Sequence, residues 1–109
     1  MGRNSKDDSL TRYENMLKIS VRYNDYLRYP RLRLLFSSKN RKINNVASSY
    51  VRHVKLTLAR LNKEDRNLII NEFFASKSNS LWWTKYYSRS TYYRKRGFAI
   101  KAFFEVYSQ

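Results

Sequence analysis

LWWTKYYSRSTYYRKRGFAIKAFF, residues Leu81 to Phe104, decides the fold. A compact aromatic segment, Leu81 to Tyr87, runs into Ser88, and serine is a favoured N-cap because its hydroxyl accepts a bond from an amide left unpartnered in the first helical turn. A helix is therefore expected to start at Arg89. In helical register Tyr92, Ala99, Phe103 and Val106 form one stripe, with Ile100 and Tyr107 beside it, at the spacing of a buried face. Arg89, Ser90, Thr91, Tyr93 and Arg94 fall mainly off that stripe. They occupy the N-terminal end of the helix, which is where a recognition helix meets the major groove. Gly97 costs about 1 kcal/mol against alanine inside a helix. It marks either close helix packing or a C-cap, and because the apolar stripe keeps its phase through it, the helix is expected to continue.

Upstream, Leu81 to Tyr86 has the length of a short positioning helix. The spacer SKSNS, residues 76 to 80, is loop chemistry. Glu64 to Ala75 reads as a further helix that supplies Leu68, Ile69, Phe73 and Phe74 to the core, with Asn62 able to cap it and Asp65 near its positive end.

The runs LARLNKEDRNLIINEFF and LWWTKYYSRSTYYRKRGFAIKAF resemble the C-terminal DNA-binding module of sigma factors, region 4, and more closely the phage-type ArpU-like transcriptional regulators. The shared order is a leucine-bearing helix end, an acidic-Arg start (Glu64, Asp65, Arg66), an aliphatic pair, a spacer, then Ser-Arg-Ser-Thr-Tyr-Tyr-Arg followed by an alanine. The resemblance implies a cap at Ser88, an inward Tyr92, and a small Ala99 where helices approach. It also implies that Arg89, Ser90, Thr91, Tyr93 and Arg94 face DNA. Two places depart from the pattern: Lys95 stands where sigma modules place a second inward aliphatic, and Trp82, Trp83 and Thr84 replace the Glu-Ile-Ala of the positioning helix. The likeness covers the C-terminal half. The whole chain is also similar to a small family of basic mycoplasma proteins, which brings no function with it.

At 109 residues there is room for one domain with a modest core. Two glycines, one proline and no βαβ alternation make an all-α, small single-domain helical bundle with a C-terminal helix-turn-helix the economical expectation. The absence of cysteine rules out disulfides and thiolate metal sites. No apolar run is long enough to span a bilayer, and the polar N-terminus with Asp7 and Asp8 does not read as a signal peptide, so a cytoplasmic, nucleoid-associated location and no membrane partner are expected. The formal charge of +15 is the strongest global signal. Such a chain repels itself, and a polyanion relieves the repulsion and releases counterions.

In chain order, residues 1–8 read as a disordered tail, 9–61 as helical support and 62–109 as the DNA-binding part. Leu10, Tyr13, Leu17 and Val21, with Met16, Ile19 and Tyr23 alongside, predict a helix from Ser9 to Arg28 that stops before Pro30. Pro30 to Ser38 suits either a strand or a short helix; with no second strand to pair with, a helix is expected. Ser37 to Asn45 reads as a basic loop in which Lys39, Arg41 and Lys42 either clamp phosphates or are simply solvated. Val46, Tyr50, Val54, Leu58 and Leu61 then form the stripe of a helix from Asn45 to Leu61, widened by Ala47 and Val51. His53, the only histidine, has no cysteine or paired carboxylate beside it and is expected to be structural or exposed. Trp82 and Trp83 are adjacent, so a helix cannot bury both on one face; one is expected in the core, the other outward, with boundary packing of both as the alternative.

No Gly-rich phosphate loop, metal cluster or acid–histidine pairing appears, and neither an enzyme, a cofactor nor a small-molecule substrate is expected. The partner expected is double-stranded DNA, bound through Arg89, Ser90, Thr91, Tyr93 and Arg94 at base edges or nearby phosphates, with Lys77, Lys85, Lys95 and Arg96 neutralising the backbone. A second expectation is a factor docked on RNA polymerase with Trp82 or Trp83 as anchor. A third is RNA or ribosome binding, since basic residues interleaved with aromatics can also stack unpaired bases.

Overall fold

Long runs of good helix formers with few breakers leave the backbone one way to satisfy its own hydrogen bonds. In the computed structural model all regular structure among the described residues is helical. The structure describes residues 5–36, 41–75 and 81–109, and the side chains within 10–28, 46–75 and 81–109. The elements are α1 (Ser5–Phe36), α2 (Arg41–Arg60), α3 (Lys63–Ile69) continued by a π turn (Ile70–Phe74), a 3-10 turn (Trp82–Lys85), and α4 (Arg89–Tyr107). The small all-α architecture expected from the sequence is what the chain adopts. Residues 1–4, the start of the basic segment at 37–40, and the spacer 76–80 with Lys77 lie outside the described residues.

α1 departs from expectation three times, first in beginning at Ser5, inside the 1–8 stretch expected as a disordered tail, and not at Ser9. It runs through Pro30, where a stop and a second helix were expected. Proline there removes one helical N–H, yet Leu27, Arg28, Arg31, Leu32 and Arg33 around it are strong helix formers that sustain the rod on both sides. The inward face is also rotated. Leu17 and Val21 are 40% and 60% exposed while Met16 is fully buried and Ser20 nearly so. Two overlapping stripes compete on this helix, and the aromatic one has more area to bury. Tyr13 packs on Phe73 with centroids 5.5 Å apart and Tyr23 on Phe74 at 5.1 Å.

α2 begins at Arg41, so the expected basic loop is already helical over its last residues. Its stripe is largely as expected, since Ala47, Val54, Leu58 and Leu61 are buried; Val46 at the start of the stripe is exposed. The buried hydroxyl of Thr57 donates to the His53 carbonyl at 2.8 Å, and that of Ser20 to Leu17 at the same distance, so neither is orphaned. His53 has a structural place: its Nε2 lies 2.9 Å from the Tyr107 carbonyl oxygen and its ring 4.4 Å from that of Tyr107. This joins α2 to the end of α4.

α3 starts as expected. Asn62 Oδ1 accepts from the Asp65 amide at 2.8 Å, and its Nδ2 donates to the Asp65 carboxylate at 3.1 Å. The helix then widens into the π turn, closed by the Ala75 amide donating to the Ile70 carbonyl at 2.8 Å. Leu68, Ile69 and Phe73 are buried, Phe74 partly so.

The expected positioning helix over Leu81 to Tyr86 is a single 3-10 turn, held by Thr84 N–H to Leu81 and Tyr86 N–H to Trp83. The adjacent indoles of this turn both reach the same tyrosine, Tyr92. α4 is capped by Ser88, whose Oγ accepts from the Thr91 amide at 3.4 Å, and it continues through Gly97 to Tyr107. Tyr92, Ala99, Ile100 and Phe103 are its buried face, in contact with α1, α2 and α3. A Cβ placed on Gly97 would meet nothing within 4 Å, so the glycine serves neither close packing nor a cap. Met16, Val54, Leu68 and Tyr92 belong to one core, which therefore draws on both halves of the chain.

Candidate nucleic-acid interface

The orientation of α4 is fixed by what surrounds Tyr92. This side chain is 1% exposed, and Trp83 stacks on its ring at 4.6 Å with an interplanar angle of 5°, while Trp82 meets its edge at 5.8 Å. The Tyr92 hydroxyl donates to Glu72 Oε1, and Trp82 Nε1 donates to the same oxygen at 3.2 Å. Burial first, and then the bond to Glu72, raise the Tyr92 pKa above its ordinary value. The π turn carries Glu72 to this place.

Arg96 closes the arrangement from outside. Its guanidinium lies 4.4 Å from the Tyr13 ring and 4.6 Å from that of Tyr93, with Nη1 3.9 Å from Glu72 Oε2. Arg96 thus ties α1, α4 and the π turn together, and its charge is largely engaged within the chain. Lys95 is similarly occupied: Nζ donates to Glu64 at 2.7 Å and sits 5.7 Å from the Tyr87 ring, and the Glu64 bond raises its pKa. Of the nine residues expected at the interface, these two are placed where their charge serves the fold.

Five of the others are solvent-facing. Arg89, Ser90, Tyr93 and Arg94 are exposed at the start of α4, and Lys85 is exposed on the 3-10 turn just before it. Arg89 lies 5.9 Å from the Tyr93 ring, which orders a side chain otherwise free to sweep. Thr91 is half-buried, and its Oγ1 accepts from the Ser88 hydroxyl at 2.9 Å. The arrangement is a capped helix end with two guanidiniums, a hydroxyl and a phenol outward, backed by a buried aromatic stack.

The tryptophans do not divide into one core and one surface residue. Both are half-buried against Tyr92, which is the boundary-packing alternative. Glu72 was not singled out from the sequence; its only signal is a carboxylate set among the apolar residues of IINEFF. Tyr13 was placed on an apolar stripe, with nothing to mark it as the partner of an arginine 83 positions later in the chain.

Among the described residues, no group of three or more histidine, cysteine, aspartate or glutamate side chains is placed to hold a metal ion, and no helix is long and apolar enough to cross a membrane. The fold defines a small all-helical domain with a basic, outward-facing helix start. No protein family, characterised protein or solved structure matches the chain.

Proposed function

We propose that this protein is a sequence-specific, double-stranded DNA-binding transcription regulator of helix-turn-helix type, with α4 as its recognition helix. The observation that supports this most is the separation of roles along α4. Tyr92, Ala99 and Phe103 anchor one side in the core, while Arg89, Ser90, Tyr93 and Arg94 project from the other side at the N-terminal end. Rigid presentation of arginines from a helix start suits bidentate contacts with guanine edges, and the +15 charge suits attraction to phosphates. Lys85 sits beside the helix start as a backbone contact, while Lys95 and Arg96 act mainly by holding α4 in place.

The test is binding by fluorescence anisotropy after selection of a preferred duplex from a random pool. Arg94→Ala is expected to weaken the selected site by about 1–3 kcal/mol and to relax base choice at one position. Lys85→Ala is expected to weaken selected and random duplexes alike. Equal losses on both duplexes for both variants would overturn the assignment of roles.

A further inference from the structure

We infer that the cleft between α3 and the 3-10 turn holds a single unpaired base, adenine by preference, of a nucleic-acid strand that runs along the start of α4. The inference rests on the proposed DNA binding and adds to it a second kind of contact. The cleft has a volume of about 530 Å³, within the ~300–1,000 Å³ range of small-ligand sites, so a base with its sugar fits. Trp82, Tyr86 and Tyr87 form its aromatic side and Leu68 an apolar element of its lining. Tyr86 is 70% exposed, far more than its neighbour Tyr87, and a flat ring left in water beside a cleft is a stacking surface.

The opposite side carries Asn67 and Asn71, four residues apart and both exposed. Among the described residues neither amide group has a side-chain hydrogen bond. An amide offers one donor and one acceptor side by side, which complements N7 and the exocyclic amine of adenine. The charges agree with a polyanionic strand. Glu64 at the rim is paired with Lys95, leaving Lys63 as a cation for a phosphate. Tyr87, in the lining, immediately precedes the Ser88 cap, two residues before Arg89. A strand contacting that arginine is one short step from the cleft.

Four DNAs test this: a blunt duplex, the same duplex with a single-stranded adenine overhang, and two more with a thymine or an abasic overhang of equal length. The adenine overhang is expected to bind about tenfold more tightly than the abasic one and to quench tryptophan fluorescence through Trp82. Tyr86→Ala, at a side chain that contributes little to the core, is expected to abolish that tenfold gain while leaving the blunt-duplex affinity unchanged. Asn71→Ala is expected to level adenine with thymine overhangs. Equal affinity for adenine and abasic overhangs, or a gain that survives Tyr86→Ala, would overturn the inference. Loss of blunt-duplex binding as such would instead count against the proposed recognition helix, since the comparison between overhangs does not depend on it.

Discussion

Glu72 is one carboxylate with three neighbours that need it: the buried Tyr92 hydroxyl, the Trp82 indole N–H and the Arg96 guanidinium. Removing it strands the phenol where water cannot reach. Glu72→Ala is expected to cost about 1–3 kcal/mol in urea unfolding, and less in a Tyr92→Phe background, where the stranded donor is gone. Equal costs in both backgrounds would show that the hydroxyl and the carboxylate are not coupled. The same phenol sets an alkaline limit. Burial raises the pKa of Tyr92 and of Tyr50 above the ordinary 10.0, so the folded chain holds protons that the unfolded chain releases. The stabilisation from these raised values is complete below pH 10 and is lost as pH rises beyond it, because there the unfolded state binds fewer protons. Unfolding free energy is expected to fall above pH ~10, with a shallower slope in Tyr92→Phe.

At the scale of elements, Gly97 exposes a weakness in α4 that the fold does not require. The helix continues through it, and a Cβ there meets nothing, so Gly97→Ala is expected to stabilise the protein by about 0.5–1 kcal/mol in thermal or urea unfolding. A destabilised variant would mean that the helix bends at this point in solution. The start of α4 was legible because a cap and a periodic stripe are local: Ser88, Tyr92, Ala99 and Phe103 announce each other within a few turns. The phase of α1 was not, since both of its stripes are apolar and only Phe73 and Phe74, far along the chain, select between them. Local rules likewise forecast a stop at Pro30 without weighing the helix formers on either side. The recruitment of Arg96 and Lys95 into the fold depends on Tyr13, Glu72 and Glu64, contacts whose sequence separations no spacing rule reveals. The exposed set at Arg89, Ser90, Tyr93 and Arg94 was legible because it is what remains when the buried stripe is subtracted.

For the whole molecule, a formal charge of +15 makes salt act in opposite directions on folding and on binding. Among the described residues with side chains, few carboxylates answer the cations, so the native state carries net self-repulsion that a shorter Debye length relieves. Raising salt from about 50 to about 200 mM is therefore expected to increase the unfolding midpoint of the isolated protein. Duplex affinity should fall over the same range, because each phosphate contact releases counterions and contributes about −0.9 to the slope of log K against log salt. Lys85→Ala, which removes the cation assigned to the nucleic-acid backbone beside the start of α4, is expected to make that slope shallower by about 1, whereas Lys95→Ala, whose ammonium already faces Glu64, should change it by much less. A slope equally altered by both substitutions would show that Lys95 leaves Glu64 to meet the nucleic acid, and a slope near zero would show that the charge on this molecule is not spent on phosphates at all.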